Sequence, residues 1–469
     1  MNTERNEIGF QIIVGILLAL SCFLFFQFLF PYHLLVKEQT QLFLFTSDYF
    51  ISYFSKPAWL ACYFGDFLTQ FYYLGMGGVA ILTLVLVVEW LLFTLVFKRL
   101  GIINKAPLIA LIPVVIDSLL HCRLDYSLSS TLAVILVLLF FLLYSFISNK
   151  WLSSFVGLAL MPFLYFVAGG AFILFPLLVI WFEIYQREWK WVYWFLLLGL
   201  YGTIPYVTRH HYLLTPARSY QYPNKSLRID VSLDREDVLS LATESYNENW
   251  EKVVELSNNH KSQDPIASYY TNIALSALGE LPDKGNQFLS VDPRTSPWLD
   301  IFFSGDVYYH LGDMTMAEYL SMLGNMYTPK GRSSRMIKRL AEVHLIMGDS
   351  AAARKYLHIL ENTFFYRKWA EERTLLLAED ANSNEWLKAK RSQIPRYDAL
   401  RSISDYETIL TVLVESNPEN LCALNYLLCY YLQNGDLKSF ATTFNKYWKK
   451  DSEPIPSKYM EAISKQKEK

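Results

Sequence analysis

The sequence predicts an all-α protein in two parts: a polytopic transmembrane helical bundle of about seven spans, then a solenoid of paired helices. Three observations carry this. Apolar runs of membrane-spanning length crowd the first 208 residues. Charge is split unevenly: residues 1–208 hold 20 Lys, Arg, Asp and Glu side chains, whereas the remaining 261 residues hold 66. A Gly-Asp turn followed by a small residue recurs in the C-terminal half. The 469 residues suffice for two or three domains, here a transmembrane domain at 1–208, a linker at 209–233 and a repeat domain at 234–469.

The spans come first. Gly9–Phe30 is an apolar run ending Phe-Leu-Phe-Pro-Tyr-His, longer than a signal-peptide core and without a small-residue cleavage site, so it is expected to remain as a span. Tyr73–Phe97, Ala106–Leu120, Leu128–Ile147 and Trp191–Val207 are further candidates. Trp151–Gln186 is too long for one straight crossing of a ~30 Å core. Gly169-Gly170 at its centre predicts a reversal, hence two short helices and seven spans.

Loop charge orients them. With the N-terminus inside, inner loops carry Arg5, Lys98, Arg99, Lys105, Lys150, Arg187 and Lys190, and outer loops only Lys37, Lys56 and Arg123. The expectation is therefore a multi-pass membrane protein with a cytoplasmic N-terminus and a C-terminal domain outside the cytoplasm. The net charge of −2 offers no basic face for nucleic acid. The five cysteines form no CxxC or zinc spacing, so no metal is expected. No Gly-rich phosphate loop, nucleophile triad or HExxH occurs in the C-terminal domain, and no cofactor is expected.

The outer loop 31–72 is strongly aromatic; Phe43, Phe50 and Phe54 recur at helical spacing, while Pro57 divides the stretch in two. Two amphipathic interfacial helices fit, either capping the bundle or roofing a cavity with Asp48 and Asp66 inward. Charges at bilayer depth are costly and so mark candidate sites. Asp117, His121 and Asp125 follow one another at intervals of four and share a face if the helix continues. A structural ladder, proton or lipid-phosphate chemistry, and metal binding all remain open for them. Glu89 in the second span awaits a partner inside the bundle. Arg123, Arg209, His210 and His211 map to the same outer face, as interfacial anchors or as contacts for a phosphate head group.

In layout, residues 1–208 resemble GT-C-type glycosyltransferases. That likeness rests on the short hairpin, the acidic first outer loop and the extracytoplasmic C-terminal domain, with no diagnostic motif. It implies a polyprenyl-phosphate sugar donor, Asp48 or Asp66 as catalytic base, and Arg123 or Arg209 on the phosphate. The stretch Thr46-Ser-Asp-Tyr-Phe…Tyr53-Phe-Ser-Lys-Pro57…Phe67-Leu-Thr-Gln-Phe71 more closely resembles an uncharacterised family of Bacteroidota membrane proteins. Membership implies a membrane domain joined to helical repeats, with no established activity, in a Gram-negative inner membrane with the C-terminal domain periplasmic.

In the C-terminal half, Gly312-Asp-Met-Thr-Met-Ala317 aligns with Gly348-Asp-Ser-Ala-Ala-Ala353, and Ser404-Asp-Tyr-Glu-Thr-Ile409 with Gly435-Asp-Leu-Lys-Ser-Phe440. Weaker copies begin at Glu248 and Gly279. The period and the turn resemble tetratricopeptide (TPR) repeats: Gly ends one helix left-handed, Asp caps the next, and the small residue lets the pair approach. Such solenoids bind proteins or peptides along a concave face. Two functions thus stand side by side. One is a membrane anchor presenting a TPR-like module for protein interaction or envelope assembly. The other is a GT-C-like enzyme whose repeats recruit the acceptor.

Overall fold

The computed structural model describes residues 2–186, 188, 190–224, 227–259, 264–285, 297–328, 330–377, 384–397, 405–448 and 454–467. Arg187 and Ser404 lie outside the described residues. Among those described, the structure is helical and contains no strand. It divides into two compact units: Met1–Glu38 with Phe43–Leu233, and Asp234–Lys469 with Gln39–Leu42.

The first unit contains α1 (Asn2–Phe28), α2 (Pro31–Gln39), α3 (Ser47–Ser52), α4 (Trp59–Thr69), α5 (Met76–Arg99), α6 (Ala106–Ile109), α7 (Leu111–Leu120), α8 (Leu128–Ser145), α9 (Lys150–Ala168), α10 (Leu174–Tyr185), α11 (Trp191–Thr208) and α12 (Pro216–Gln221). Four stretches are long and apolar enough to cross a membrane: Glu7–Phe28, Met76–Arg99, Leu128–Ser145 and Lys150–Tyr185, with Ala106–Leu120 a shorter apolar segment. Their shared core includes Phe26, Leu82, Leu86, Val114, Leu138 and Phe141. Phe155, Leu84 and Phe195 point outward instead, as lipid-facing residues do.

The long stretch at 150–185 does reverse. Gly169 has φ +60° and separates α9 from α10, and a Cβ there would lie 2.5 Å from the Tyr222 carbonyl oxygen. A Lys150–Glu188 ion pair at 2.6 Å brings the start of α9 beside the residues just after α10. Basic residues gather at that end. Lys190 pairs with Glu183 at 3.1 Å, Lys98 donates to Gln11 Oε1 at 2.8 Å, and Arg99 lies 4.1 Å over the Phe146 ring. Residues 209–233, read from sequence as a linker, carry α12. Its flanks are tied to the bundle: Gly170 N–H donates to the Tyr222 carbonyl at 2.7 Å and Tyr165 hydroxyl to the Ser219 carbonyl at 2.9 Å.

The aromatic loop forms α3 and α4 around an edge-to-face ring cluster. Tyr63 lies 5.0 Å from Phe50, 5.4 Å from Tyr53 and 5.4 Å from Phe43. Such ring pairs are worth about 0.5–1.5 kcal/mol each beyond area burial.

The second unit contains α13 (Leu233–Tyr246), α14 (Trp250–Asn259), α15 (Pro265–Ala277), α16 (Leu281–Lys284), α17 (Trp298–Leu311), α18 (Met314–Tyr327), α19 (Ser334–Met347), α20 (Ser350–Glu361), α21 (Arg367–Leu375), α22 (Glu385–Gln393), α23 (Tyr406–Ser416), α24 (Leu421–Gln433), α25 (Leu437–Tyr447) and α26 (Ser457–Lys467). The Gly-Asp turns take the form their chemistry dictates. Gly312, Gly348 and Gly435 have φ of +86°, +80° and +71°. The aspartate after each caps the following helix, accepting from Met316, Ala352 and Ser439 N–H. Glu248 and Gly279 are also left-handed, at φ +58° and +73°.

Helices α17 to α21 pack in sequence, each on the next. The row does not simply continue: α24 packs against α15, α16 and α17. Asn420 fastens this return, its amide donating to the Leu311 carbonyl at 2.7 Å and to the Gln393 carbonyl at 2.9 Å.

At the centre of this unit Asp306 is buried with two arginines. Its carboxylate accepts from Arg335, from Arg339 at 3.0 Å and from Tyr270 at 2.8 Å. Burial alone would raise the Asp306 carboxyl, but the two guanidiniums outweigh it and hold it below the ordinary carboxylate value. Gln39–Leu42 completes the same core. Arg335 donates to Gln39 Oε1 at 2.8 Å, Ser333 hydroxyl to the Gln39 carbonyl at 2.6 Å, and Ser334 N–H to the Gln41 carbonyl at 3.0 Å.

Candidate functional site

The residues singled out by sequence in the first unit separate into distinct groups. The most deeply buried is built on Asp117 and His121. Helix α7 ends at Leu120, and His121 lies in its cap with its N–H on the Asp117 carbonyl at 3.1 Å. Asp117 Oδ2 accepts from Thr131 hydroxyl at 2.6 Å, and Tyr126 hydroxyl donates to Oδ1. His121 Nε2 lies 2.8 Å from Thr131 Oγ1 and 3.5 Å from Asp117 Oδ2. Lys37 reaches in from α2, its ammonium donating to the His121 carbonyl at 2.9 Å.

Because α7 stops, Asp125 does not join this ladder. It pairs with Arg123 instead, in a two-pronged contact at 2.9 and 2.7 Å, and Arg123 also donates to the Arg228 carbonyl. The chain turns back after Asp125, and Tyr126 takes the place at Asp117 that continued helix would have given to Asp125.

Polar contacts extend the group. Ser130 donates to Asn224 Oδ1, and Arg218 donates to the Asn224 carbonyl, so the chain after α12 is joined to the start of α8. Glu89 in α5 is buried, and among the described residues its Oε2 has no hydrogen-bond partner, nor has His121 Nδ1. Glu89 and Asp117 are near enough to interact electrostatically.

Asp66 is buried in α4 and accepts from Tyr53 hydroxyl at 2.7 Å, which also reaches Tyr49 hydroxyl at 2.8 Å. Asp48 is exposed in the first turn of α3. Arg209 stacks at 4.2 Å on Tyr206 and its Nε approaches His210 Nε2 at 3.3 Å. Neither Arg209 nor His210 bonds to the Asp117 group among the described residues. There, too, no three His, Cys, Asp or Glu side chains are arranged to hold a metal ion.

Sequence reading missed Lys37, Tyr126 and Thr131 as members of the group. One signal was present: Ser127, Ser129, Ser130 and Thr131 place four hydroxyls at the start of an otherwise apolar helix.

A family model of unknown function, DUF6057, matches residues 8–465. The chain belongs to that family. The match spans both compact units, so the bundle and the helical hairpins are parts of one family unit. No curated protein and no solved structure matches the chain. Within the DUF6057 chain, Asp117 accepts from the Tyr126 and Thr131 hydroxyls with His121 Nε2 3.5 Å away.

Proposed function

We propose that this protein is a membrane-anchored, TPR-like interaction module, working outside the cytoplasm as an assembly factor of the cell envelope. The single observation that supports this best is the recurring hairpin turn of the second unit, left-handed at Gly312, Gly348 and Gly435 with an aspartate cap after each. Stacked helical hairpins expose long side-chain faces suited to protein or peptide partners. In this reading the first unit crosses an inner membrane seven times, with α9 and α10 as two short spans. Lys98, Arg99, Lys105, Lys150 and Lys190 then face the cytoplasm.

A GT-C-like sugar transfer from a polyprenyl phosphate asks for a carboxylate free to act as base. Asp66 is already engaged by Tyr53, which weighs toward the interaction reading, while Asp48 is exposed in the first turn of α3. Two measurements test it. A phosphatase reporter fused after Lys469 is active if the C-terminus lies outside the cytoplasm; activity of a cytoplasm-only reporter there sinks the topology. In-cell photocrosslinking from second-unit positions should yield a defined protein adduct that survives Asp48→Ala with Asp66→Ala. An altered envelope glycan profile in that double variant, at normal protein level, would favour the enzyme instead.

A further inference from the structure

The second unit carries a half-buried face on which cations and aromatic rings alternate. Lys338 lies 5.0 Å over both Tyr246 and Trp369. Arg373 lies 4.3 Å over Trp386, and Lys390 4.5 Å over Tyr309. These side chains come from α13, α17, α19, α21 and α22, elements widely spaced in sequence. Tyr309 belongs to the core, but Tyr246, Lys338, Trp369, Arg373, Trp386 and Lys390 all stay partly exposed, more rings and cations than closing that core requires.

Charge on this face is left over. Asp306 and Glu342 are taken up by Arg335 and Arg339. Among the described residues Arg373 and Lys390 have no ion pair and no side-chain hydrogen bond, so eight N–H donors between them await acceptors. Burial pushes the Lys390 ammonium below its ordinary value, with Glu248 and Glu342 only partly opposing it. A cation held against a ring and away from carboxylates is stabilised by an incoming carboxylate more than a solvated one would be.

We propose that this face binds an acidic, aromatic-bearing peptide segment of a partner protein, its carboxylates on Arg373 and Lys390 and its rings against Trp369 and Trp386. The proposal rests on the interaction-module reading and names its partner chemistry. Carboxylate side chains complete the two free cations, and indole faces take up flat apolar groups between them.

The test uses the full chain in detergent micelles and fluorescence anisotropy. The probe is a fluorescein-labelled 12-residue peptide alternating Glu and Tyr, compared with its Gln-for-Glu and Ser-for-Tyr counterparts. The Glu/Tyr peptide is expected to bind at least about tenfold tighter than the Gln/Tyr peptide. Arg373→Gln and Lys390→Gln should each weaken it by about fivefold, as should Trp386→Ala. Lys368→Gln, on an exposed side chain elsewhere on α21, should leave binding unchanged. Melting of each variant alongside wild type separates lost binding from lost fold, and Arg373→Lys should restore part of the affinity in a folded protein. Equal binding of the Glu/Tyr and Gln/Tyr peptides overturns the proposal. So does wild-type affinity in the Arg373→Gln, Lys390→Gln double variant, or loss of binding to phosphatidylglycerol vesicles, without peptide binding, in that variant. Second-unit crosslinks to a protein alongside failed peptide binding would reject this chemistry while leaving the module reading standing.

Discussion

Asp117 in the first unit and Asp306 in the second are both buried carboxylates, and the chain satisfies them by different chemistry. Asp117 is met by Tyr126 and Thr131 hydroxyls and by His121, with one ammonium, Lys37, bonded only to a neighbouring carbonyl. Asp306 is met by Arg335, Arg339 and one tyrosine. The difference follows from the two settings. An arginine at bilayer depth costs roughly 2.5–3.5 kcal/mol or more, whereas hydroxyls ride along an apolar helix at little cost. In a helical unit rich in charge, two guanidiniums can be buried on one carboxylate and stacked on rings, as Arg339 is on Tyr309 at 3.7 Å.

The contrast sets an order of expected effects. Asp306→Ala leaves the buried Arg335 without its carboxylate partner and Arg339 with Glu342 alone, and should destabilise the second unit by about 3–5 kcal/mol. Hydrogen exchange on the full chain should show α17 and α19 losing protection. Asp117→Ala strands only hydroxyls and an imidazole, and about 1–3 kcal/mol is expected, confined to α7 and α8. Equal losses from the two substitutions would erase the distinction.

Turn chemistry gives a smaller pair. Gly348→Ala meets only the Arg391 guanidinium, at an unstrained 3.7 Å, but a left-handed backbone, costing about 1 kcal/mol. Gly312→Ala meets the Gln393 carbonyl oxygen at 2.5 Å as well, so it should cost more in the same denaturant titration. A last test concerns pH rather than a lost contact. Burial pushes Lys37 down to about 7, despite nearby Cys122, Asp125 and Asp117 pulling the other way. Between that value and the free-lysine value of about 10.4 the unfolded chain binds the extra proton, so the Lys37 contribution makes stability rise with pH over that window. Melting from pH 6.5 to 10 should show a steeper rise in wild type than in Lys37→Met.

Much of this was legible in the sequence. Apolar runs located the long helices, and Gly169-Gly170 marked the reversal between α9 and α10 because two glycines in an apolar run have little other use. The capped turns at Gly312, Gly348 and Gly435 were readable because their geometry is decided by adjacent residues. What was hidden depends on distant ones. Nothing local says that α7 ends at Leu120, which diverts Asp125 to Arg123 and gives Tyr126 its place on Asp117. Neither does the interval after Gly348 announce that α24 packs on α15–α17, a closure fastened by Asn420. The expected number of spans rested on loop charge, and by length and composition four stretches qualify.

The residues Gln39–Leu42 impose a timetable on synthesis. They are made early, yet their partner Ser333 lies 294 residues later. At roughly 5–20 residues per second, that interval is about 15–60 s in which this piece must wait unaccompanied. Closing so long a loop slows the docking step, though its entropy grows only logarithmically with length. A gene fragment beginning at residue 234 lacks the piece altogether, so Arg335 keeps Asp306 but loses Gln39, and Ser333 loses the Gln39 carbonyl. The core of the second unit is thus complete only when the beginning of the chain is present.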